Sequence, residues 1–141
     1  MIRLRACGAS AGLAVCAVLL VTASSLAMNG QGQKSVKAGV YSAAQADRGL
    51  ALYKAKCASC HAPNRFTDDL FYTSFADKPL WEMFDVISDT MPEDNPGSMK
   101  PEEYVDIMAY LLKLNGFPAG ADDLPTGKDA LSAITMEKPP R

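Results

Sequence analysis

The chain of 141 residues contains one histidine, one tryptophan and four cysteines. Each scarcity closes off some chemistry. A zinc site takes about four ligands, and with a single histidine and no second cysteine pair, carboxylates would have to complete it. There is no Ser-His-Asp constellation, no glycine-rich phosphate loop and no internal repeat. Positive charge is not in excess either, since 14 basic residues face 16 acidic ones for a formal net charge of −2. A mildly acidic chain is poorly suited to nucleic acid or to an anionic membrane surface.

Residues 1–27 read as a secretory signal peptide. Arg3 and Arg5 give the positive start, Leu13 to Val21 the apolar middle, and Ser25-Leu26-Ala27 a small-x-small cleavage site, so that the mature chain begins at Met28. A retained membrane anchor is the competing reading, but glycine, serine and threonine border the apolar run closely and a good cleavage site follows it. A lipoprotein fits less well, because Cys16 lies inside the apolar stretch after Val15. Cleavage removes Cys7 and Cys16, leaving only Cys57 and Cys60 and no pair to spare for a structural disulfide. It also removes Arg3 and Arg5, so 12 basic residues remain against 16 acidic ones, a net charge of −4.

The two remaining cysteines stand in Cys57-Ala58-Ser59-Cys60-His61, a C-x-x-C-H pentad that reads as the attachment site of a c-type haem. Two thiols so spaced turn to one side of the backbone and can form thioethers with the haem vinyl groups. His61 then faces the iron as proximal ligand, and no other histidine competes for that position. Three plainer readings exist. A thioredoxin-like pair needs a β-α-β pattern that is missing here, zinc lacks ligands, and a Cys57–Cys60 disulfide closes a very small loop and leaves His61 unexplained. Residues 28–141 suffice for one small domain. In so short a chain a large apolar ring would supply much of the core.

Around the pentad the periodicity predicts helices. Residues 28–40 are glycine-rich and polar, and are read as a flexible leader. A helix then begins at Ser42, which with Gln45 has capping-box spacing, and its face carries Ala46, Gly49, Leu50 and Tyr53. Gly49 in mid-helix suggests close approach by another helix. After His61 an aromatic-rich stretch without clear period is expected to wrap the haem edge through Phe66, Phe71, Tyr72 and Phe75, and Arg65 is either a propionate partner or a solvated charge. A second helix, with Pro79 in its first turn, buries Leu80, Met83, Phe84 and Ile87 and stops before Pro92. Trp81 lies off that stripe, either reaching a propionate or partly exposed. Residues 89–100 form a loop. A last helix starts at Pro101, buries Tyr104, Ile107, Met108 and Leu111, and closes at Asn115-Gly116, with Gly116 left-handed and Phe117 folding back on Leu112. The tail, 119–141, carries one short apolar set, Leu131 and Ile134, and is expected on the surface or partly disordered.

With no second histidine, a methionine thioether is the strongest candidate for a sixth iron ligand, a lysine amine being the alternative. Met83 and Met108 belong to core stripes, and Met28 and Met136 to leader and tail. Met99 is placed to pack on Tyr104 at the start of the last helix. Met91 remains, with Pro92 stiffening the loop that carries it.

The order helix, C-x-x-C-H, middle helix, methionine loop and terminal helix, over most of residues 41–118, resembles the small all-α class I cytochromes c: three main helices and long loops around one covalent haem. The resemblance implies that the first and last helices cross at Gly49 and Tyr53 against Tyr110 or Leu111, and that the distal ligand stands in a Met-Pro pair, here Met91-Pro92. The stretches Gly-Val-Tyr-Ser-Ala-Ala-Gln-Ala-Asp-Arg-Gly, Thr-Met-Pro-Glu-Asp-Asn-Pro-Gly-Ser and Asn-Gly-Phe-Pro-Ala-Gly are similar to bacterial periplasmic cytochrome domains that accompany quinoprotein dehydrogenases. The resemblance thus implies one-electron transfer in the periplasm by a non-enzymatic haem c protein, with a quinoprotein dehydrogenase and a terminal oxidase as expected partners. The alternatives are a haem subunit of a larger oxidoreductase, or a haem enzyme or gas-binding protein with an open sixth position.

Overall fold

The computed structural model describes residues 32–139; the expected signal peptide, its cleavage site and Met28 lie outside that range. In chain order the elements are β1 (Lys34–Ser35), α1 (Ala43–Lys56), α2 (Asp69–Phe75), α3 (Leu80–Thr90), α4 (Pro101–Leu114), α5 (Lys128–Ser132) and β2 (Ile134–Thr135). Short 3-10 turns occupy Val36–Ala38 and Pro63–Phe66. The fold is all-α, the two strands amounting to one short parallel ladder.

Helix α1 begins where the spacing predicts, with the Ser42 Oγ accepting from the Gln45 N–H at 3.0 Å. The capping box is only half made. Gln45 is buried and turns inward instead, its amide donating to the Leu124 carbonyl (3.1 Å) and accepting from the Leu124 N–H (2.6 Å). One side chain thereby satisfies both backbone groups of a buried residue from the far end of the chain.

Gly49 is where α1 meets α4. A Cβ there would lie 1.8 Å from the Asp106 carbonyl oxygen and 3.0 Å from the Tyr110 Cβ, so only a glycine admits this approach. One turn on, Tyr53 packs its ring 5.0 Å from that of Tyr110. The crossing is tied at its edge by Arg48, which donates two hydrogen bonds to Asp106 (2.9 and 3.0 Å) and one to Asp123 (2.7 Å). These bonds hold the Arg48 guanidinium well above its ordinary pKa, Asp106 contributing most.

Helix α4 starts at Pro101, and the Lys100 N–H donates to the Glu103 carboxylate at 2.8 Å. It ends as expected: Gly116 has φ +78° and the Phe117 N–H donates to the Leu112 carbonyl at 3.1 Å. The stripe of Tyr104, Ile107, Met108 and Leu111 proves too narrow, because every residue from Tyr104 to Leu112 is buried. Ile107, Tyr110 and Leu111 pack with Tyr53 on one side, while Val105, Met108 and Leu112 join Leu80, Met83 and residues of both chain ends on the other. A helix covered on both sides has no solvent face to display a stripe.

Both ends of the chain depart from expectation. From Lys34 onward the supposed flexible leader is tied down: β1 pairs with β2, and Val36 is fully buried. The supposed surface tail is part of the core, since Leu124, Leu131, Ile134 and Met136 are each buried beside Val36, Leu80 and Met108. Each end covers what the other would leave wet. Neither has enough apolar residues to reveal this by period alone. Helix α2 has no counterpart among the expected helices. Asp68 caps it, accepting from the Phe71 N–H at 2.8 Å, and its seven residues are too few to show a 3.6-residue repeat.

Candidate haem site

Helix α1 ends at the pentad. The Cys57 N–H still donates to the Tyr53 carbonyl (2.8 Å), after which the N–H groups of Cys60 and His61 both return to the Cys57 carbonyl (3.1 and 2.9 Å). This tight turn puts both thiols and the imidazole on one wall of a cleft of about 960 Å³. That volume is at the upper end of the ~300–1,000 Å³ typical of ligand pockets. The Tyr53 hydroxyl donates to the His61 carbonyl, fixing the pentad to the α1/α4 crossing.

The end of α3 and the loop after it also line the cleft, with Met91 and Met99. Both methionines reach the cleft, but they are held differently. Met91 caps α3 through its N–H to the Ile87 carbonyl (2.9 Å), and its own carbonyl accepts from the Tyr104 hydroxyl (2.8 Å). Met99 packs into the two apolar clusters on either side of α4, one of which contains Tyr104. It therefore has the packing role its sequence position suggested and a cleft-facing side as well.

Phe66, Phe71 and Phe75 line the cleft, as their position after the pentad led one to expect, joined by Ile87, Ile107 and Leu111. The Phe66 ring stands edge-on to the His61 ring at 5.8 Å. Tyr72 does not belong with them. Its hydroxyl donates to the Asn115 side chain, while the Asn115 amide nitrogen donates to the Phe66 carbonyl (2.9 Å) and the Leu111 carbonyl (2.7 Å). Tyr72 and Asn115 thus brace the wall from behind, a role no local sequence signal reveals. Trp81 also stands away from the cleft: its ring stacks on Phe84 at 5.0 Å, with the Lys128 ammonium 5.3 Å from its centroid. Arg65 is exposed on the lip.

Two thiols unpaired with each other, half-buried Cys57 and exposed Cys60, lie beside an imidazole in a largely apolar cleft wide enough for a porphyrin. Burial pushes the Cys57 thiol pKa up, so it is a protonated thiol at neutral pH before attachment. The residues present fit a covalently attached haem. An all-α chain closed around such a cleft defines the class: this is a c-type cytochrome.

Comparison with known families agrees. Residues 44–111 match the family described as cytochrome C oxidase, cbb3-type, subunit III. Neither a curated protein nor a solved structure matches the chain. The protein holds covalently bound haem c with its iron and is an electron-transfer protein rather than an enzyme.

Proposed function

We propose that the protein is a periplasmic one-electron carrier, with haem c joined to Cys57 and Cys60, His61 as proximal and Met91 as distal iron ligand. Its donor would be an exported dehydrogenase of the quinoprotein type and its acceptor a terminal oxidase. What supports this reading is that the pentad and Met91, the latter anchored at both its N–H and its carbonyl, line one and the same cleft. When bound, the group supplies reversible one-electron iron chemistry. Filling both axial positions leaves no vacant site for oxygen or peroxide, which suits a carrier. The chain's own contribution is to exclude water with Phe66, Phe71, Phe75, Ile107 and Leu111 and to hold the pentad through Tyr53.

The test is spectroscopic. Intact mass of exported material should show a chain starting at Met28 plus one haem. Its reduced spectrum should not change with carbon monoxide. In the oxidised protein the near-infrared sulfur-to-iron band should vanish in Met91→Ala and persist in Met99→Ala; the reverse pattern overturns the ligand assignment. Absence of added haem mass overturns the site.

The family match supports a second reading, a haem subunit of a larger oxidase. Among the described residues no helix is long and apolar enough to cross a membrane. Co-purification with a membrane oxidase through gentle detergent extraction favours this reading; elution as a free 1:1 haem protein favours the carrier.

A further inference from the structure

The backbone of His61 is tied on both sides: its carbonyl accepts from the Tyr53 hydroxyl, and its N–H donates to the Cys57 carbonyl at 2.9 Å. Neither bond fixes the imidazole, which can still turn about its own side-chain bonds. A histidine that binds a metal ordinarily donates its second ring nitrogen to a carboxylate or carbonyl, and that bond sets the direction of the ring. The His61 imidazole has no such hydrogen bond among the described residues; the ring it meets is that of Phe66, edge-on at 5.8 Å with 65° between the planes.

Phe66 ends the short turn Pro63–Phe66 and is itself held from several directions. Tyr53 from α1 and Phe71 from α2 also stand edge-on to its ring, at 6.0 and 6.1 Å. Its carbonyl accepts from the Asn115 Nδ2 at 2.9 Å. Asn115 is buried just after α4, and its amide is fully used: the nitrogen donates also to the Leu111 carbonyl at 2.7 Å, and the oxygen accepts from the Tyr72 hydroxyl. Closing α4 does not call for this side chain. Backbone bonds do so alone, from the Asn115 N–H to the Leu111 carbonyl at 3.1 Å and from the Phe117 N–H to the Leu112 carbonyl at 3.1 Å. An amide directed at the Phe66 carbonyl, 49 residues earlier in the chain, serves the turn after the pentad.

We propose that Phe66 and Asn115 are positioning residues for the proximal iron ligand: Asn115 holds the turn in place, and Phe66, so held, sets the direction of the His61 imidazole plane. This rests on the reading of His61 as that ligand. Asn115 acts on the imidazole only through Phe66. A phenyl edge restricts rotation by contact, so the imidazole is oriented without the hydrogen bond that would raise its basicity.

The experiment records the hyperfine-shifted haem methyl resonances of the oxidised, haem-loaded full chain by proton NMR, because their order follows the direction of the axial ligand planes. The variants are Phe66→Leu, Asn115→Ala, the two combined, and Tyr72→Phe. The last removes a hydrogen bond from Asn115 while leaving its bond to Phe66, so it loosens the same wall without freeing the turn. Tyr72→Phe should keep the wild-type order of the methyl resonances. Phe66→Leu should change that order, Asn115→Ala should change it in the same sense, and the double variant should match Phe66→Leu alone, since the two residues act in series. The near-infrared sulfur-to-iron band should persist in all of them, which keeps the change on the His61 side. If Asn115→Ala takes up no haem, Phe66→Leu decides alone, because there the Asn115 bond to the backbone is kept. An unchanged order in Phe66→Leu or in haem-loaded Asn115→Ala overturns the proposal while leaving the carrier reading intact. An equal change in Tyr72→Phe, additive changes in the double variant, or loss of the band in Phe66→Leu does the same. A wild-type chain without haem overturns both.

Discussion

Replacing Gly49 by alanine sets two effects of opposite sign against each other. In an open helix the change would stabilise, since alanine is favoured over glycine in a helix interior by about 1 kcal/mol. Here the new methyl would lie 1.8 Å from the Asp106 carbonyl oxygen and 2.5 Å from its carbon. Backbone atoms of α4 cannot rotate away as a side chain can, so the two helices must separate. Overpacking of this kind costs roughly 1–3 kcal/mol or more, and contact with backbone on the far side puts Gly49 at the top of that range. The net loss is about 2 kcal/mol, or roughly 10 °C in Tm for a domain of this size. Separation would also pull Tyr53 from Tyr110 and, through the Tyr53 hydroxyl, loosen the pentad. Urea unfolding of the haem-loaded protein, followed by far-UV circular dichroism and by haem absorbance, measures both. A Gly49→Ala protein as stable as wild type, or more so, would refute the crossing geometry.

Other outcomes depend on single contacts. Gln45→Ala strands the buried N–H and carbonyl of Leu124 and should cost about 2–4 kcal/mol in urea unfolding; a loss below about 0.5 kcal/mol would mean those groups find other partners. Removing residues 119–141 uncovers Val36 and Leu80 and should abolish the sharp thermal transition of the haem-loaded protein, whereas an unchanged Tm would show the tail to be dispensable. Tyr104→Phe deletes the hydroxyl that holds the Met91 carbonyl; it should cost about 1 kcal/mol and shift the near-infrared band, and an unaltered band would separate Tyr104 from the iron. Hydrogen bonds from Ser42 and Arg48 hold the Asp123 carboxyl below its ordinary value of 3.8. The stabilisation this gives is present above pH 3.8 and lost as the pH falls through the lower folded-state value. Asp123→Asn should thus lower Tm near pH 6 and converge with wild type below that value; a constant gap across the acid range would contradict it.

Helices α1, α3 and α4 were legible because each is long enough to repeat an apolar face and carries its own punctuation: Ser42 before α1, Pro79 and Pro92 around α3, Pro101 and Gly116 around α4. Gly49 was legible as an anomaly whose cost demanded a reason, and the close approach of α4 supplies it. The pentad was legible because its two thiols and its imidazole stand within five consecutive residues, so chain connectivity alone keeps the groups together.

What local pattern could not carry depended on distant partners. Capping-box spacing at Ser42 and Gln45 is a true local signal, yet Gln45 turned to Leu124, 79 residues away, because a buried backbone N–H and carbonyl with no other partner outweighed a cap that water could replace. Tyr72 and Trp81 were aromatic residues in the right stretches, and only packing sent one to Asn115 and the other to Phe84 and Lys128. Val36, Leu124, Leu131 and Met136 are too thinly spread to announce a face of their own, and they became core only when β1 and β2 brought the two ends of the chain together. Sequence by itself determined the pentad and the helices that frame it, since both are written in neighbouring residues. Tertiary structure alone decided which isolated side chains close the core and brace the cleft, because burial is shared between segments that have no period in common.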